Sequence, residues 1–250
     1  MKFSVIIPTY MEEKNIEQCL RSIMNQDYDH GDYEIIVSDA ESTDRTREIA
    51  QRYTSNIVTS AKRGIAHGRN VGTYEAKGEV LLFVDADVTL APDFLTQCAR
   101  IFFSPDVAAA TGIAHPMEGR VLSRLVYQGT YFLVRFFSLF GIYLFPGICV
   151  AYRRSAFLAV QGFREEFGIT EDLDLSRRIS KIGDCRVIPA ARACVSTRRL
   201  DKHLWSTVFF HIYSDVRYLL TGTAPRFYPK IEEVHSWRDL WKHGHQNSNF

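Results

Sequence analysis

Two aspartates, Asp85 and Asp87, directly follow an uninterrupted apolar run, Val80 to Val84. A short apolar run of this kind indicates a buried strand. Because side chains alternate along an extended chain, both carboxylates face the same way. Such close like charges repel unless a cation lies near them, and Mg²⁺ and Mn²⁺ prefer carboxylate oxygens. The pair therefore predicts a metal-binding edge; the alternative is capping of the following turn, where aspartate is common.

The elements that would position these aspartates alternate along the first half of the chain. Apolar residues at helical spacing predict helices at about 15–24, 44–53 and 66–76, and Pro92 suits the first turn of a fourth. This strand-helix alternation predicts a mostly parallel sheet with helices on both faces. The predicted strands are Phe3–Ile7, Glu34–Ser38, Asn56–Thr59, Val80–Val84 and Val107–Thr111.

Polar residues gather where three of these strands end. The ends read Pro8-Thr9-Tyr10, Asp39-Ala40-Glu41 and Asp85-Ala86-Asp87. Parallel sheets bind ligands at the carboxyl ends of their strands, beside the point where the strand order reverses. We therefore expect one ligand site at this edge. A phosphorylated ligand suits it, because hard divalent cations are often shared with substrate phosphates.

The composition excludes some classes of protein. With 30 basic and 29 acidic residues, the formal net charge is +1, so no global charge favours nucleic acid as a partner. The five cysteines show no metal-ligand spacing, and their odd number favours a reducing compartment over a disulfide framework. The opening segment, MKFSVIIPTY, lacks the pattern of a signal peptide. These features predict a cytoplasmic protein.

Five segments occur in an order that carries a family resemblance. They are SVIIPTYMEEKNIEQCLRSI, EIIVSDAESTDRT, RGIAHGRNVG, VLLFVDADV and GITEDLDLSRRISKIG. Together they cover roughly residues 3–190 and resemble family 2 glycosyltransferases, the inverting nucleotide-sugar enzymes with the GT-A fold. The resemblance implies an α/β protein with a mostly parallel, Rossmann-like sheet flanked by helices. It also implies sugar transfer from a nucleotide-diphosphate donor.

On this resemblance, the nucleotide would lie against the first two strand ends. Asp39 matches an acid that contacts the base or the ribose, although an acid ahead of a helix is also a common cap. Many members read Asp-Asp-Gly-Ser where this chain has Asp39-Ala40-Glu41-Ser42. Because this departure affects residues that would contact the base, the sequence does not decide between a UDP-linked and a GDP-linked donor. The loop that borders the base and ribose corresponds to Pro8, Thr9, Tyr10 and Glu12.

The diphosphate and its metal would lie at the fourth strand. Asp85-Ala86-Asp87 looks like the Asp-x-Asp motif of the fold. Its second acid holds the metal, Mn²⁺ or Mg²⁺, and its first contacts ribose or metal. Arg63 and Arg69 lie in the segment that approaches the diphosphate. A solvated helix face is the alternative for both arginines.

The catalytic base is implied by a pair of acids near residue 170. Glu171-Asp172 is similar to the Glu-Asp pair of the family, whose Asp is the usual base and whose Glu would orient it. On local grounds alone, Glu171, Asp172 and Asp174 are acids in the first turn of a helix capped by Thr170, where the helix dipole favours them. We assign Asp174 to the helix surface.

An aromatic run within residues 120–145 bears on the acceptor. Residues 119–164 hold six arginines and no acid, and Phe132, Phe136 and Phe140 would stripe one helix face. No stretch reaches the ~20 apolar residues that a bilayer span needs. The run is either a core-covering or dimerising helix pair, or an interfacial segment for a membrane and a lipid-linked acceptor. The predicted acceptor is thus a glycan or a lipid-linked molecule. The same aromatic run leaves two alternatives for the oligomeric state, a monomer and a homodimer.

The domain organisation follows from these assignments. Residues 1–195 form the predicted catalytic domain, with a nucleotide-sugar half (1–115) and an acceptor half (116–195). Residues 196–250 form a C-terminal helical extension and tail. At its start, Arg198 and Arg199 either close over the diphosphate or form a solvated charge pair.

Two other functions compete with sugar transfer. A nucleotidyltransferase acting on sugar phosphates also uses two acids, a metal and a nucleotide, but such folds usually begin with a glycine-rich, basic loop. Here the first turn, residues 8–13, reads PTYMEE and is acidic. A non-catalytic nucleotide-binding scaffold of the same fold would tolerate loss of Asp87 or Asp172, yet both are present.

Overall fold

One eight-stranded sheet forms the centre of the protein. The computed structural model describes residues 1–224. The strands are β1 (Phe3–Thr9), β2 (Tyr33–Asp39), β3 (Ile57–Thr59), β4 (Val80–Val84), β5 (Val88–Leu90), β6 (Val107–Pro116), β7 (Cys149–Arg153) and β8 (Asp184–Val195). They lie in the order β3-β2-β1-β4-β7-β6-β8-β5. Strands β3, β2, β1 and β4 are mutually parallel, as are β6 and β8.

Helices cover both faces of this sheet. They are α1 (Ile16–Met24), α2 (Thr46–Ala50), α3 (Ile65–Tyr74), α4 (Phe94–Phe102), α5 (Val121–Ser138), α6 (Arg154–Ala159), α7 (Glu171–Ile179) and α8 (Arg198–Thr221). Strand alternation explains the two layers. Phe3, Val5 and Ile7 of β1 pack with α1 on one face, whereas Ile6 packs with Ala66 of α3 on the other.

The reversal of strand order lies between β1 and β4. The chain moves outward from β1 through β2 to β3, then returns to place β4 on the other side of β1. Helix α3 packs closely there: a Cβ on Gly72 would lie 2.5 Å from Cγ2 of Ile6, so a glycine is needed. The crevice at the carboxyl ends of β1 and β4 is the ligand position that such sheets favour.

The predicted parallel strands are all confirmed, and the second half of the sheet adds antiparallel pairings. Strand β7 runs antiparallel to both β4 and β6, and β5 runs antiparallel to β8. Strand β7 carries the chain back into the sheet after α5. These pairings join segments far apart in the sequence, and local patterns do not specify them.

The C-terminal helix α8 packs against α7. Its Tyr218 contacts Phe167 edge-to-face, with ring centroids 5.3 Å apart, and donates a hydrogen bond of 2.8 Å to Oδ1 of Asp174. Asp174 is only 1% exposed and also pairs with Arg178. The assignment of Asp174 to the helix surface was therefore wrong, because α8 covers this face of α7. The boundary predicted after residue 195 falls between β8 and α8, and the tail beyond residue 224 lies outside the described residues.

Candidate active site

The end of β4 places the two aspartates at the reversal crevice. The backbone N–H of Asp85 donates to the carbonyl of Ile148, just before β7, at 3.1 Å. The Asp85 and Asp87 side chains keep 25% and 11% of their surface exposed, and Ala86, between them, is buried. The strand thus delivers two partly accessible carboxylates to the edge of an otherwise buried sheet.

Arg69 connects this edge to the predicted base. The side chain is almost fully buried, with Nη2 3.0 Å from Oδ1 of Asp85 and Nη1 3.1 Å from Oε1 of Glu171. Nη2 also donates to the carbonyl of Gly147 at 2.8 Å. A planar guanidinium can hold three such acceptors at once. All these contacts are internal, so contact between Arg69 and a diphosphate stays a prediction.

Gly147 is the second part of this connection. Its N–H donates to Oδ2 of Asp172 at 2.8 Å. A Cβ at this position would lie 2.6 Å from Nη2 of Arg69, so only glycine allows the guanidinium to pass. In the sequence, this glycine belongs to the Pro146-Gly147 dipeptide that follows the aromatic run, and it was not among the predicted site residues. A Pro-Gly dipeptide indicates a turn, but it does not indicate the two residues that Gly147 contacts, Arg69 and Asp172, because both lie far away in the sequence.

Asp172 has the environment of a proton acceptor. It is half-buried at the start of α7, and Oδ1 accepts from the N–H of Leu173 at 2.8 Å. Burial raises the pKa of Asp172 above its ordinary value, against the opposing effect of Arg69. Burial, and next the charge of Asp172, also raise the pKa of Glu171. A carboxylate with a raised pKa binds a proton more readily, which suits a general base.

Helix α8 adds a carboxylate that the sequence did not identify. Burial, with a smaller contribution from Asp172, raises the pKa of Asp215 to about 7. Asp215 is half-buried on α8, and its neighbour Ser214 is fully buried. The C-terminal extension therefore contributes charge to the surroundings of the predicted base. No local pattern distinguished Asp215 from an ordinary residue of an amphipathic helix.

Asp39 holds the turn after β2. Its Oδ1 accepts from the hydroxyls of Thr9 at 2.9 Å and Ser42 at 2.6 Å, and its Oδ2 accepts from the N–H of Ser42 at 2.9 Å. The residue is fully buried. Asp39 thus joins the ends of β1 and β2, beside half-buried Pro8. Contact with base or ribose stays a prediction.

Tyr10 and Arg63 form a pair at the outer edge of the crevice. The guanidinium carbon of Arg63 lies 4.4 Å from the centroid of the Tyr10 ring, and both residues are exposed. A cation over an aromatic face is a favourable contact. This places Arg63 with the loop predicted for the base and ribose. Its predicted contact with the diphosphate is not tested by this arrangement.

Glu12 and Asp87 share a cationic partner, Arg198 at the start of α8. Nη2 of Arg198 lies 2.5 Å from Oε1 and 2.7 Å from Oε2 of Glu12, and 3.6 Å from Oδ2 of Asp87. Oε2 of Glu12 also accepts a hydrogen bond of 2.8 Å from Nδ2 of Asn15. The Asn15 side chain therefore bonds to Glu12 and makes no capping hydrogen bond to α1. The Arg198 guanidinium binds two acids, the Arg199 side chain lies outside the described residues, and closure of this pair over the diphosphate stays a prediction.

The donor set here fits a hard divalent cation that shares its ligands with substrate. Two carboxylates already converge on one positive group, and both supply the oxygens that Mg²⁺ and Mn²⁺ prefer. Among the described side chains, which leave out 199, 200, 202 and 203 of residues 1–224, no three His, Cys, Asp or Glu form a complete metal site. Diphosphate and water oxygens would have to complete the coordination shell, which is the usual arrangement for Mg²⁺.

Comparison with known proteins identifies the family. Residues 4–160, more than half of the chain, match the sequence profile of Glycosyl transferase family 2. The chain belongs to this family. A relative in the family is the poly(ribitol-phosphate) β-N-acetylglucosaminyltransferase TarS of Staphylococcus aureus strain Mu50. It is 37% identical over 105 residues, which are 40% of this chain and 18% of TarS. The chain thus spans less than a fifth of this relative's length.

Two solved structures share the fold. The mannosyltransferase PcManGT from Pyrobaculum calidifontis, in complex with GDP-Man and Mn²⁺, matches with a TM-score of 0.73 and 23% identity, over 90% of this chain and 66% of that one. S. aureus TarS 1–349 in complex with UDP-GlcNAc matches with a TM-score of 0.63 and 24% identity, over 78% and 58% of the two chains. The predicted GT-A-like α/β fold is confirmed.

One departure from the family pattern has a visible backbone consequence. Glu41 occupies the position where many family 2 members have glycine, and its φ is +56°. A side chain in this left-handed conformation costs roughly 1–2 kcal/mol, which glycine would avoid. Met11, whose N–H donates to the hydroxyl of Ser42 at 2.9 Å, also has a φ of +56°. The two loops predicted to hold the nucleotide are therefore strained and bonded to each other.

Proposed function

We propose that this family 2 protein is a metal-dependent, inverting glycosyltransferase that moves a sugar from a UDP- or GDP-linked donor to an acceptor hydroxyl or phosphate. One observation carries the proposal. Arg69 ties Asp85, at the donor edge, to Glu171, beside the predicted base, through contacts of 3.0 and 3.1 Å. Such a link would hold the donor and the base in a fixed relative position, which transfer requires.

The donor would bind at the carboxyl ends of β1, β2 and β4. Tyr10, exposed on this edge, offers a ring face to the base, and Asp85 an oxygen to ribose or metal. When bound at Asp87, a divalent cation would offset the negative charge that grows on the leaving diphosphate. The family neighbours bind GDP-Man with Mn²⁺ and UDP-GlcNAc, which supports a nucleotide-sugar and a divalent cation without choosing the base.

The transfer step would take place at Asp172. An acceptor oxygen would attack the anomeric carbon from the face opposite the diphosphate, the bond from that carbon to the diphosphate oxygen would break, and the acceptor proton would pass to Asp172. The Gly147 N–H, 2.8 Å from Oδ2, would keep the carboxylate aimed. Glu171, held by Arg69, would fix the start of α7.

A screen of nucleoside diphosphates tests the donor assignment. UDP or GDP at 100 times its Kd should stabilise the native state by about 2.7 kcal/mol, because it binds only the folded protein. We expect a rise in the midpoint of thermal unfolding for one base, larger with Mn²⁺ than without, and a loss of the Mn²⁺-dependent part in Asp87→Asn. An equal response to Mn²⁺ in that variant would contradict the metal assignment.

The reaction products separate the competing functions. Incubation with the matching nucleotide-sugar and a candidate acceptor should release nucleoside diphosphate. Release of pyrophosphate from a nucleoside triphosphate and a sugar phosphate would instead identify a nucleotidyltransferase. Tight nucleotide binding with neither product, across glycan and lipid-linked acceptors, would favour a non-catalytic scaffold.

We also propose that the acceptor side meets an anionic membrane, which a lipid-linked acceptor would require. The predicted stripe is exposed: Phe132, Phe136 and Phe140 keep 68, 45 and 66% of their surface accessible. Tyr131 and Val134 on the same helix are buried in the core, so the exposed stripe is the part of this segment that is left to meet a partner. Arg124 and Arg135 are exposed on the same helix, and like charges on two copies would oppose a dimer there. Aromatic and arginine side chains suit an anionic interface.

Other features agree with a peripheral location on the cytoplasmic side. No helix within residues 1–224 has both the length and the apolar character to cross a bilayer. All five cysteines are free thiols, which supports a reducing compartment. We therefore propose that the chain acts at the inner face of a membrane.

A liposome assay tests the membrane contact. Phe136→Asp with Phe140→Asp should lower the affinity for phosphatidylglycerol-containing liposomes, measured by sedimentation, by about tenfold or more. The reason is that two aromatic rings that would insert into the membrane are lost and two negative charges are added. The matched control is Phe103→Asp with Leu158→Asp, which changes two exposed apolar residues outside α5. Unchanged liposome binding, together with a dimer-to-monomer change in light scattering, would assign the stripe to a homodimer.

A further inference from the structure

Arg198 lies where a cation would act at the donor edge. Its Nη2 contacts both oxygens of Glu12, at 2.5 and 2.7 Å, and lies 3.6 Å from Oδ2 of Asp87. The Arg198 side chain is 35% exposed, while those of Glu12 and Asp87 are each 11% exposed. Two poorly solvated carboxylates therefore face each other across one guanidinium group, which offsets their repulsion.

The start of α8, which carries Arg198, is held from the other side by the acceptor half. Asp201 accepts from the Ser123 hydroxyl of α5 at 2.6 Å and from the N–H of Arg120 at 3.1 Å. It also accepts from the Thr197 hydroxyl at 2.6 Å. One turn of α8 thus bonds to the entrance of α5 through Asp201 and to the donor edge through Arg198.

We propose that Arg198 is an internal counter-cation that holds Glu12 and Asp87 together in the metal-free protein and that must leave Asp87 when a divalent cation binds there. The inference rests on the proposed metal dependence. Two positive groups at one carboxylate repel each other, so metal binding and the Arg198–Asp87 contact exclude one another. Metal binding thereby becomes coupled to the position of the first turn of α8.

This coupling makes Arg198 a positioning residue with two linked effects. Removing the guanidinium leaves Glu12 and Asp87 without their shared positive partner, so the metal-free protein loses stability. The same removal abolishes a competitor for Asp87, so a divalent cation binds more tightly. Thermodynamic linkage requires the gain in the free energy of cation binding to equal the part of the stability loss that disappears when the cation is bound. A residue that only packs would lower stability equally with and without the cation.

The experiment compares the wild type with Arg198→Gln, Arg198→Lys and Arg192→Gln. Arg192 is exposed on β8, and its variant removes the same charge elsewhere. Mn²⁺ binding is followed by electron paramagnetic resonance of the free ion, in the presence of whichever of UDP and GDP stabilises the protein more. Thermal unfolding is recorded with and without saturating Mn²⁺. We expect Arg198→Gln to bind Mn²⁺ about threefold to tenfold more tightly.

The unfolding midpoint of Arg198→Gln should lie below that of the wild type without Mn²⁺, and the difference should shrink when Mn²⁺ is saturating. Arg198→Lys should resemble the wild type, and Arg192→Gln should match it in both measurements. Equal Mn²⁺ affinity in Arg198→Gln and the wild type would overturn the inference about Arg198 but not the proposed metal dependence. The same conclusion would follow if the difference in unfolding midpoint were equal with and without Mn²⁺. Failure of the wild type to bind Mn²⁺ at all would overturn the metal dependence and the inference together.

Discussion

Asp172→Asn should slow sugar transfer by about 10²- to 10⁴-fold, the range that a general base contributes, while nucleotide binding is unchanged. Asparagine keeps the shape of the side chain and can still accept one of the two backbone hydrogen bonds, from Gly147 or Leu173. It cannot take the acceptor proton. The measurement is the rate of nucleoside diphosphate release under saturating donor and acceptor, with thermal shift as the test of nucleotide binding.

The matched control lies two residues further along α7. Asp174→Asn removes a charge from the same helix, but the Asp174 carboxylate accepts its hydrogen bonds from Tyr218 and Arg178. We expect it to lower stability and to leave the rate per folded molecule close to that of the wild type. If Asp172→Asn transfers sugar as fast as the wild type, the base lies elsewhere, and Asp215 on α8 becomes the residue to replace.

Arg69→Met should lower the free energy of unfolding by about 3–5 kcal/mol, the usual cost of removing one partner from a buried ion pair. Arg69 is 1% exposed, and its loss leaves Glu171, itself 4% exposed, as a buried carboxylate beside Asp172. Asp85 and the Gly147 carbonyl also each lose the hydrogen bond that Arg69 donates. Urea unfolding followed by circular dichroism gives the free energy, provided that the dependence on denaturant is the same in both proteins.

Two further variants show whether the ion pair or simple packing is responsible. Adding Glu171→Gln to Arg69→Met should recover part of the lost stability, because the buried negative charge is removed; contacting residues typically couple by about 0.5–3 kcal/mol. Arg45→Met breaks an exposed pair with Glu48, which solvent screens, and should leave the free energy of unfolding close to that of the wild type. A cost below about 1 kcal/mol for Arg69→Met would show that the connection between donor edge and base is not held by this side chain.

The aromatic stripe and Asp174 show where local patterns fail. The spacing of Phe132, Phe136 and Phe140 predicted a shared face, and Phe136 indeed contacts both of the others, at centroid distances of 6.2 and 5.3 Å. Periodicity does not reveal whether a helix face points to the core or to solvent, so only the structure could show that this face is exposed. Asp174 was wrongly assigned to the surface for the same reason. It is covered by Tyr218 of α8, which lies 44 residues later in the sequence.

The sequence by itself determined the elements and the family. Apolar periodicity has a range of a few residues, and it is sufficient to locate β1, β2, β4, α1 and α3 and to place Asp39, Asp85 and Asp87 at strand ends. The ordered motifs identified family 2, and the departure at Glu41 appears as a positive φ in the chain. All of this depends on residues close together in the sequence.

Only the tertiary structure decided how the site is connected. The bond from Arg69 to Glu171 joins positions 102 residues apart, that from Arg69 to Gly147 spans 78, and that from Arg198 to Glu12 spans 186. Each depends on how β7, α7 and α8 fold back onto the first half of the sheet. Local patterns carry no information on such pairings, because an arginine that binds a buried acid and one that faces water have the same neighbours in the sequence.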